Sequence, residues 1–418
     1  MRNQVGNWVS GSDFFDRVSE LERMQSLLDD EENLLLVAPR RVGKTSLLRE
    51  IIRRLDQRGR DYGLFVDVQG CSTPEEVIVE LAAGTREHRK LWSRTKEVFA
   101  RYFEKAADRI DTLGIDRIRI EMREGVSGDW QSKGDRLLAE LAAVDLPVVL
   151  CLDELPIMIS RMLRSDGGGA TGEGRQRADH FLSWLRLSVG RYRGRIRFVI
   201  CGSIGLEPVL RAVGLSHTIT ELRPFHLEPW DQDTAGRFLA ALAGSYRLAL
   251  GPDARSRMLE RLGLCIPHHV QMFFGLLHDD LCRRSVDAVT IGDVDRVYDR
   301  HMLGSRGHAE LADYEERLLR VIGTDLIPLA VDLLSEAAIT GRLTEEAAVA
   351  LARDHAVDGA DPLESLRTVI GVLEHDGYLQ QFGDGSRMFC SNLVRDWWKQ
   401  RFTLGFVRAA ERSRGSRQ

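Results

Sequence analysis

The chain has 418 residues, with 58 Lys and Arg against 63 Asp and Glu, a net charge of −5, and with 43% apolar and 29% charged residues. This is globular composition, enough for two or three domains at roughly 150 residues each, and it excludes a disordered or collagen-like chain. The mild acidity argues against a protein that coats nucleic acid non-specifically, which would be basic overall.

The cysteines (Cys71, Cys151, Cys201, Cys265, Cys282, Cys390) are scattered without a CxxC pair, and the histidines form no HExxH. Buried thiols are expected, rather than a metal site or a disulfide framework. No stretch approaches the roughly 20 apolar residues of a membrane span. Met1 to Asp13 lacks the apolar core of a signal peptide, so a cytoplasmic location is expected.

Along the chain, Asn33–Val37 reads as a short apolar strand ending in a loop. Leu47, Leu48, Ile51, Ile52 and Leu55 then give Thr45–Leu55 helical periodicity. Leu64–Val68 is the next strand. Thr73-Pro74-Glu75-Glu76 reads as a helix start, with Thr as the cap and Pro in the first turn. The spacing of Leu91, Trp92, Val98, Phe99, Tyr102, Phe103, Ala106 and Ile110 predicts a long amphipathic helix. Arg117–Met122 reads as a short strand. Pro147–Leu152 and Arg197–Cys201 are apolar runs, as expected of strands buried on both faces. Asp166–Gly174 is rich in glycine and predicts a mobile loop. From Asp231 to Met302 the pattern is helical, with starts at Asp231, Pro252 and Pro267 and a capping box at Thr290 and Asp293. The last hundred residues read as helices near Leu326–Ala338, Thr344–His355 and Pro362–Asp376. A hairpin follows around Asp384-Gly385, which is the order of a winged helix.

Ala38-Pro39-Arg40-Arg41-Val42-Gly43-Lys44-Thr45 matches GxxxxGK[ST] except at its first position, where Ala38 replaces Gly. A strand precedes it and a helix follows. In such a loop, successive backbone N–H groups and the helix N-terminus converge on phosphate oxygens. Lys44 would bridge the β- and γ-phosphates, and the Thr45 hydroxyl would bind Mg2+. The second motif is the strand Val148-Val149-Leu150-Cys151-Leu152 ending in Asp153-Glu154. Asp153 would hold Mg2+, and Glu154 would orient or deprotonate the attacking water. The long separation of Lys44 from Asp153 predicts a helical insertion, at about 74–113. A third strand ends in Gly202-Ser203. Ser203 reads either as a contact to the γ-phosphate or water, or as a turn or helix cap. No NKxD guanine-reading motif is present, which favours ATP.

Together these residues resemble the AAA+ superfamily, and more narrowly the archaeal-type ATPases, relatives of the STAND signalling ATPases and the origin-recognition ATPases. The likeness begins at Phe15-Asp16-Arg17-Val18-Ser19-Glu20-Leu21, with Asp16 where the family has Gly. It runs through the phosphate loop and Ser46. It implies an α/β P-loop core with a mainly parallel sheet over 1–228, an all-helical lid over 229–305, and a C-terminal winged-helix domain with an Arg-rich tail over 306–418. It also implies that Arg17 and Pro267 lie beside the adenine, although Cys265 departs from the group's Gly-x-Pro. Gly202-Ser203 takes the place of the sensor-1 end. No sensor-2 arginine stands near Pro267. His268 and His269 follow it, either as helix surface or core, or as a partial substitute. Arg211 is the nearest candidate for an arginine finger, with Arg223 behind it.

What the resemblance implies is a Mg2+-dependent ATPase switch that controls a protein partner or homo-oligomeric self-assembly. The habit of the group extends this to defence and mobile-element systems. The competing expectation is a DNA-binding ATPase, a loader or a regulator of transposition or transcription. Asp325–Gln400 holds six Lys and Arg against thirteen Asp and Glu, which opposes a phosphate backbone. Arg408, Arg412, Arg414 and Arg417 in the tail, and the Arg161–Arg177 loop region, keep nucleic acid or an acidic partner open, against a solvated, frayed terminus.

Overall fold

The computed structural model describes residues 1–99, 119–120, 122, 126, 128–164, 171–202, 205–211, 213–322, 324–356 and 361–415. The chain divides into two compact units. One comprises Trp8–Ala38 and Lys44–Leu227; the other comprises Met1–Asn7, Pro39–Gly43 and Glu228–Gln418.

The first unit is built on a five-stranded parallel sheet. Its strands are β1 (Leu34–Val37), β2 (Tyr62–Asp67), β3 (Val148–Asp153), β4 (Ile196–Cys201) and β5 (Arg223–His226), in the order β2-β3-β4-β1-β5. Every residue of β3 and β4 is buried, as a strand covered on both faces requires. Helices Val18–Asp29, Lys44–Arg58, Pro74–Gly84, Arg89–Val98, Trp130–Ala142, Leu155–Leu163 and Gly172–Arg191 belong to this unit. Arg197 on β4 forms a buried ion pair with Asp61 and donates to the Leu28 carbonyl at 2.9 Å. The cap at Thr73 forms, its hydroxyl accepting from the Glu76 N–H at 3.3 Å, and the Glu76 side chain returns to the Ser72 N–H at 2.7 Å.

Two expectations need correction here. The strand expected at Arg117–Met122 is not one: Arg119, Ile120 and Met122 are helical. Met122 and Val126 are both helical and fully buried, while Arg119 pairs with Glu80 at 2.7 Å. The glycine-rich segment is already helical from Gly172, with the Thr171 hydroxyl accepting from the Gly174 N–H at 2.9 Å. Residues 165–170 of that segment lie outside the described residues, as do 100–118 of the expected amphipathic helix.

From Glu228 onward, the described residues of the second unit are mainly helical, with a two-stranded hairpin. Helix Gln232–Tyr246 is capped by Asp231, and helices Pro252–Leu262 and Pro267–Arg284 open on proline. Helix Ile291–Val297 carries the capping box of Thr290 and Asp293. Helix Ser305–Ile322 follows, then Ile327–Thr340, Glu345–Asp354 and Pro362–His375. Antiparallel β6 (Leu379–Gln381) and β7 (Arg387–Phe389) flank Gly385, whose φ of +79° suits the turn, and Leu343 adds a bridge to Arg387. Helix Asn392–Phe402 then buries Trp397 and Trp398. Its Asp396 accepts from the Tyr298 hydroxyl at 3.0 Å, and Asn392 donates to the Glu260 carbonyl at 3.2 Å.

The tail is not frayed where it is described. Ala409–Gly415 is helical, and the Ala409 N–H donates to Glu336 at 3.0 Å. Arg412 pairs with Asp332 at 2.7 Å and Asp354 at 3.4 Å, and Arg408 with Glu411 one turn on. Among the described residues, no helix is long and apolar enough to cross a membrane, and no group of three His, Cys, Asp or Glu is placed to hold a metal ion.

Candidate active site

The site grows from the carboxyl ends of β1, β3 and β4. β1 is apolar and lies between β4 and β5, one strand in from the sheet edge, and its end leads directly into the loop that begins at Ala38. Within that loop, Arg41 has φ +60° and Gly43 has φ +99°. The second value lies where a side chain is strained, which is why the sequence carries glycine there. The helix starts at once with Lys44. Its ammonium donates to the Ala38 carbonyl at 3.3 Å, and the residue is buried. Val42 is buried as well. The Ser46 hydroxyl accepts from the Val9 N–H at 3.1 Å, tying an upstream segment to this helix.

Asp153 ends β3 and is 4% exposed. Its Oδ2 accepts from the Thr45 hydroxyl at 2.9 Å. The folded chain thus brings together two residues separated by more than a hundred positions. Asp153 Oδ1 accepts from the Cys201 thiol at 2.9 Å at the end of β4. Burial, reinforced by the nearby Asp153 carboxylate, pushes the Cys201 thiol far above its ordinary range, so it stays a protonated donor. No motif around Cys201 marks it for this part.

Glu154 has φ +63°, a left-handed conformation that costs a residue bearing a side chain about 1–2 kcal/mol. It precedes helix Leu155–Leu163, whose second residue is Pro156. Across from it, a Cβ on Gly202 would sit 2.5 Å from Pro156 Cδ and 3.4 Å from Glu154 Oε2. The end of β4 therefore needs glycine, because it passes directly against the turn that carries Glu154. Ser203 lies outside the described residues.

The remaining candidates make contacts of their own. Arg17 is buried with φ +60°, and its guanidinium pairs with Glu20 at 2.6 Å. Asp16 before it has φ +61°, a backbone conformation that favours glycine. Arg211 is exposed on helix Leu206–Arg211 and paired with Glu207 on the same helix. Pro267 opens its helix within the other unit, buried, after the bridge between Trp230 and Cys265.

Arg40 and Pro39 also belong to that second unit, together with Arg41. There His268 is buried beside Arg41, and burial, aided by that guanidinium, lowers its pKa to about 4, so the ring is neutral near pH 7. His269 is fully buried and is likewise held neutral by burial, well below its ordinary range.

A phosphate-bearing nucleotide and a divalent cation suit these residues: a loop of backbone N–H groups at a helix N-terminus, a buried lysine, and a hydroxyl bonded to a carboxylate. No family model and no curated protein sequence matches the chain. Solved structures do resemble it. A Walker-type ATPase of Pyrococcus abyssi superposes with a TM-score of 0.62 at 17% identity, covering 95% of this chain and 99% of that one. The Aeropyrum pernix ORC2 protein, solved as ADPNP and ADP complexes, superposes with a TM-score of 0.56 at 11% identity, covering 93% and 95%. At these identities the likeness establishes architecture, and over nearly its whole length the chain has the fold of an AAA+ P-loop ATPase.

Proposed function

We propose that the chain binds ATP with Mg2+ and hydrolyses it, and that it works as a switch acting on a protein partner or on its own assembly. The observation that carries this reading is the 2.9 Å bond from Thr45 to Asp153, which places the phosphate loop's hydroxyl against the carboxylate closing β3. Ala38–Lys44 would cradle the phosphates through backbone N–H groups, with the Lys44 ammonium facing the β- and γ-phosphates. Thr45 and Asp153 would hold Mg2+, which supplies neutralisation of the charge that develops on the phosphate oxygens. Glu154 would orient the attacking water and take its proton. Cys201 and Gly202 would keep Asp153 and Glu154 in place. Ser203 and Arg211 are proposed as auxiliary groups, Ser203 toward the γ-phosphate and Arg211 toward the site of a neighbouring copy; Arg17 and Pro267 are proposed beside the adenine.

We take residues 229–305 as a lid and 306–418 as a winged-helix domain with its tail. The acidic surplus of 325–400, and the pairing of Arg412 with Asp332 and Asp354, favour protein contact over DNA binding. The test is ATP turnover against protein concentration. A specific rate that climbs with concentration, and that Arg211→Ala flattens, supports a site completed by a second copy, where a finger adds on the order of 10³–10⁵ in rate. A low, flat rate supports a monomeric switch awaiting its partner. Absence of any Mg2+-dependent turnover overturns the hydrolytic reading.

A further inference from the structure

Within the helical unit, the tip of the phosphate loop is tied to two side chains from far along the chain. Arg41 Nη1 lies 2.7 Å from Glu310 Oε2 and 2.8 Å from His268 Nε2. His268 Nε2 and Glu310 Oε2 are 3.1 Å apart. Three polar atoms meet at one junction. His268 stands in the first turn of helix Pro267–Arg284, and its backbone N–H points at the Arg41 carbonyl at 3.4 Å. Glu310 stands on helix Ser305–Ile322. Arg41 itself holds a left-handed backbone, a conformation side-chain-bearing residues avoid unless neighbours fix it.

The chemistry of the junction gives its members unequal parts. A guanidinium only donates. One imidazole nitrogen can accept from Arg41 or donate to Glu310, but not both at once. Glu310 is therefore the group that answers the Arg41 charge. A guanidinium binds carboxylate and phosphate oxygens with the same fork of donors. Its place in the phosphate loop is the place where a nucleotide would present phosphate oxygens to it.

We propose that Arg41 is a ligand for nucleotide phosphate and that Glu310 is a built-in competitor for its guanidinium, a carboxylate standing where a phosphate oxygen would bind. This rests on the reading of Ala38–Thr45 as the phosphate site of ATP. Binding of a polyphosphate takes Arg41 from Glu310 and so unties helix Ser305–Ile322 from the loop. Glu310 thereby sets both the affinity for nucleotide and the route by which binding is felt in the helical unit.

The test is a double-mutant cycle on the full chain, measured as equilibrium binding of a fluorescent ATP analogue with Mg2+ and displacement by inorganic tripolyphosphate. Wild type, Glu310→Gln, Arg41→Ala and the double variant are compared. Glu310→Gln is expected to tighten both ligands by about five-fold, the scale of one partly exposed ion pair. Arg41→Ala is expected to weaken both, and Glu310→Gln to add nothing once Arg41 is gone. Unchanged or weaker binding in Glu310→Gln, or an equal gain without Arg41, overturns the proposal. Glu310→Asp, which keeps the charge on a shorter arm, is expected to fall between wild type and Glu310→Gln and serves if the glutamine variant does not fold. Wild type is measured first: if it shows no saturable binding of the ATP analogue, the phosphate-site reading itself fails, a result distinct from failure of the cycle.

Discussion

Gly202→Ala adds a single methyl at the point where β4 meets the Glu154 turn. That carbon would lie 2.5 Å from Pro156 Cδ and 2.7 Å from Pro156 Cγ, a full ångström inside ordinary contact. The proline ring cannot rotate away, because its torsion is fixed and it sits in the first turn of helix Leu155–Leu163. Overpacking of this kind costs about 1–3 kcal/mol. At about 2–4 °C per kcal/mol for a unit of this size, the melting temperature of the sheet unit should fall by roughly 2–12 °C. Relief comes mainly by moving Pro156, and Glu154 moves with it. A displacement of about 1 Å at a catalytic group costs on the order of 10²-fold in rate. Turnover should therefore fall far more than stability. Gly190→Ala is the control. It lies near the end of helix Gly172–Arg191 with nothing within 4 Å, so it should gain about 0.5 kcal/mol and leave turnover alone. Calorimetry and an ATPase assay on the three proteins decide the matter. Wild-type melting together with wild-type turnover in Gly202→Ala would show that the Pro156 ring does not constrain Glu154.

Three further outcomes are expected. Glu154→Gly should relieve the left-handed strain and stabilise the chain by about 1 kcal/mol in thermal unfolding, yet abolish turnover, because the carboxylate is the proposed proton acceptor. Burial raises the Glu50 pKa, but bonds from Arg53, the Gly11 N–H and Arg54 outweigh it and bring the value down to about 2. Its contribution, about 3 kcal/mol, is then present above pH 4.5 and lost as pH falls from 4.5 toward 2; acid titration of unfolding free energy should show wild type losing this increment over that window and Glu50→Gln lacking it. In the helical unit, Asp376 is buried with Arg317 at 2.7 Å, so Asp376→Asn should cost about 3–5 kcal/mol by denaturant unfolding, since it removes the carboxylate charge from a buried ion pair.

What the sequence disclosed was local. The phosphate loop, the Asp153-Glu154 strand end, the cap at Thr73 and the capping box at Thr290 are written in consecutive residues, and each forms where the spacing put it. What it concealed depends on packing between distant segments. Cys201 is one apolar residue among several in its strand, and only the alignment of β3 beside β4 sets its thiol on Asp153. Gly202 was read as part of a strand end, while its necessity comes from the Pro156 ring. Arg41 and Glu310 carry no shared motif, so nothing in either neighbourhood announces their pairing. The tail shows the same limit. Its arginines left an anionic partner or a frayed terminus open, and Arg412 pairs within its own unit with Asp332.

Ala38–Thr45 and Asp153-Glu154 are proposed to form one ATP-hydrolysing site. The direct measurement is Mg2+-ATP binding and turnover side by side in wild type, Lys44→Ala and Glu154→Gln. Wild type is expected to do both, Lys44→Ala to lose binding and turnover together, and Glu154→Gln to bind and retain ATP without cleaving it. Turnover that survives in Lys44→Ala, or persists undiminished in Glu154→Gln, would contradict this assignment.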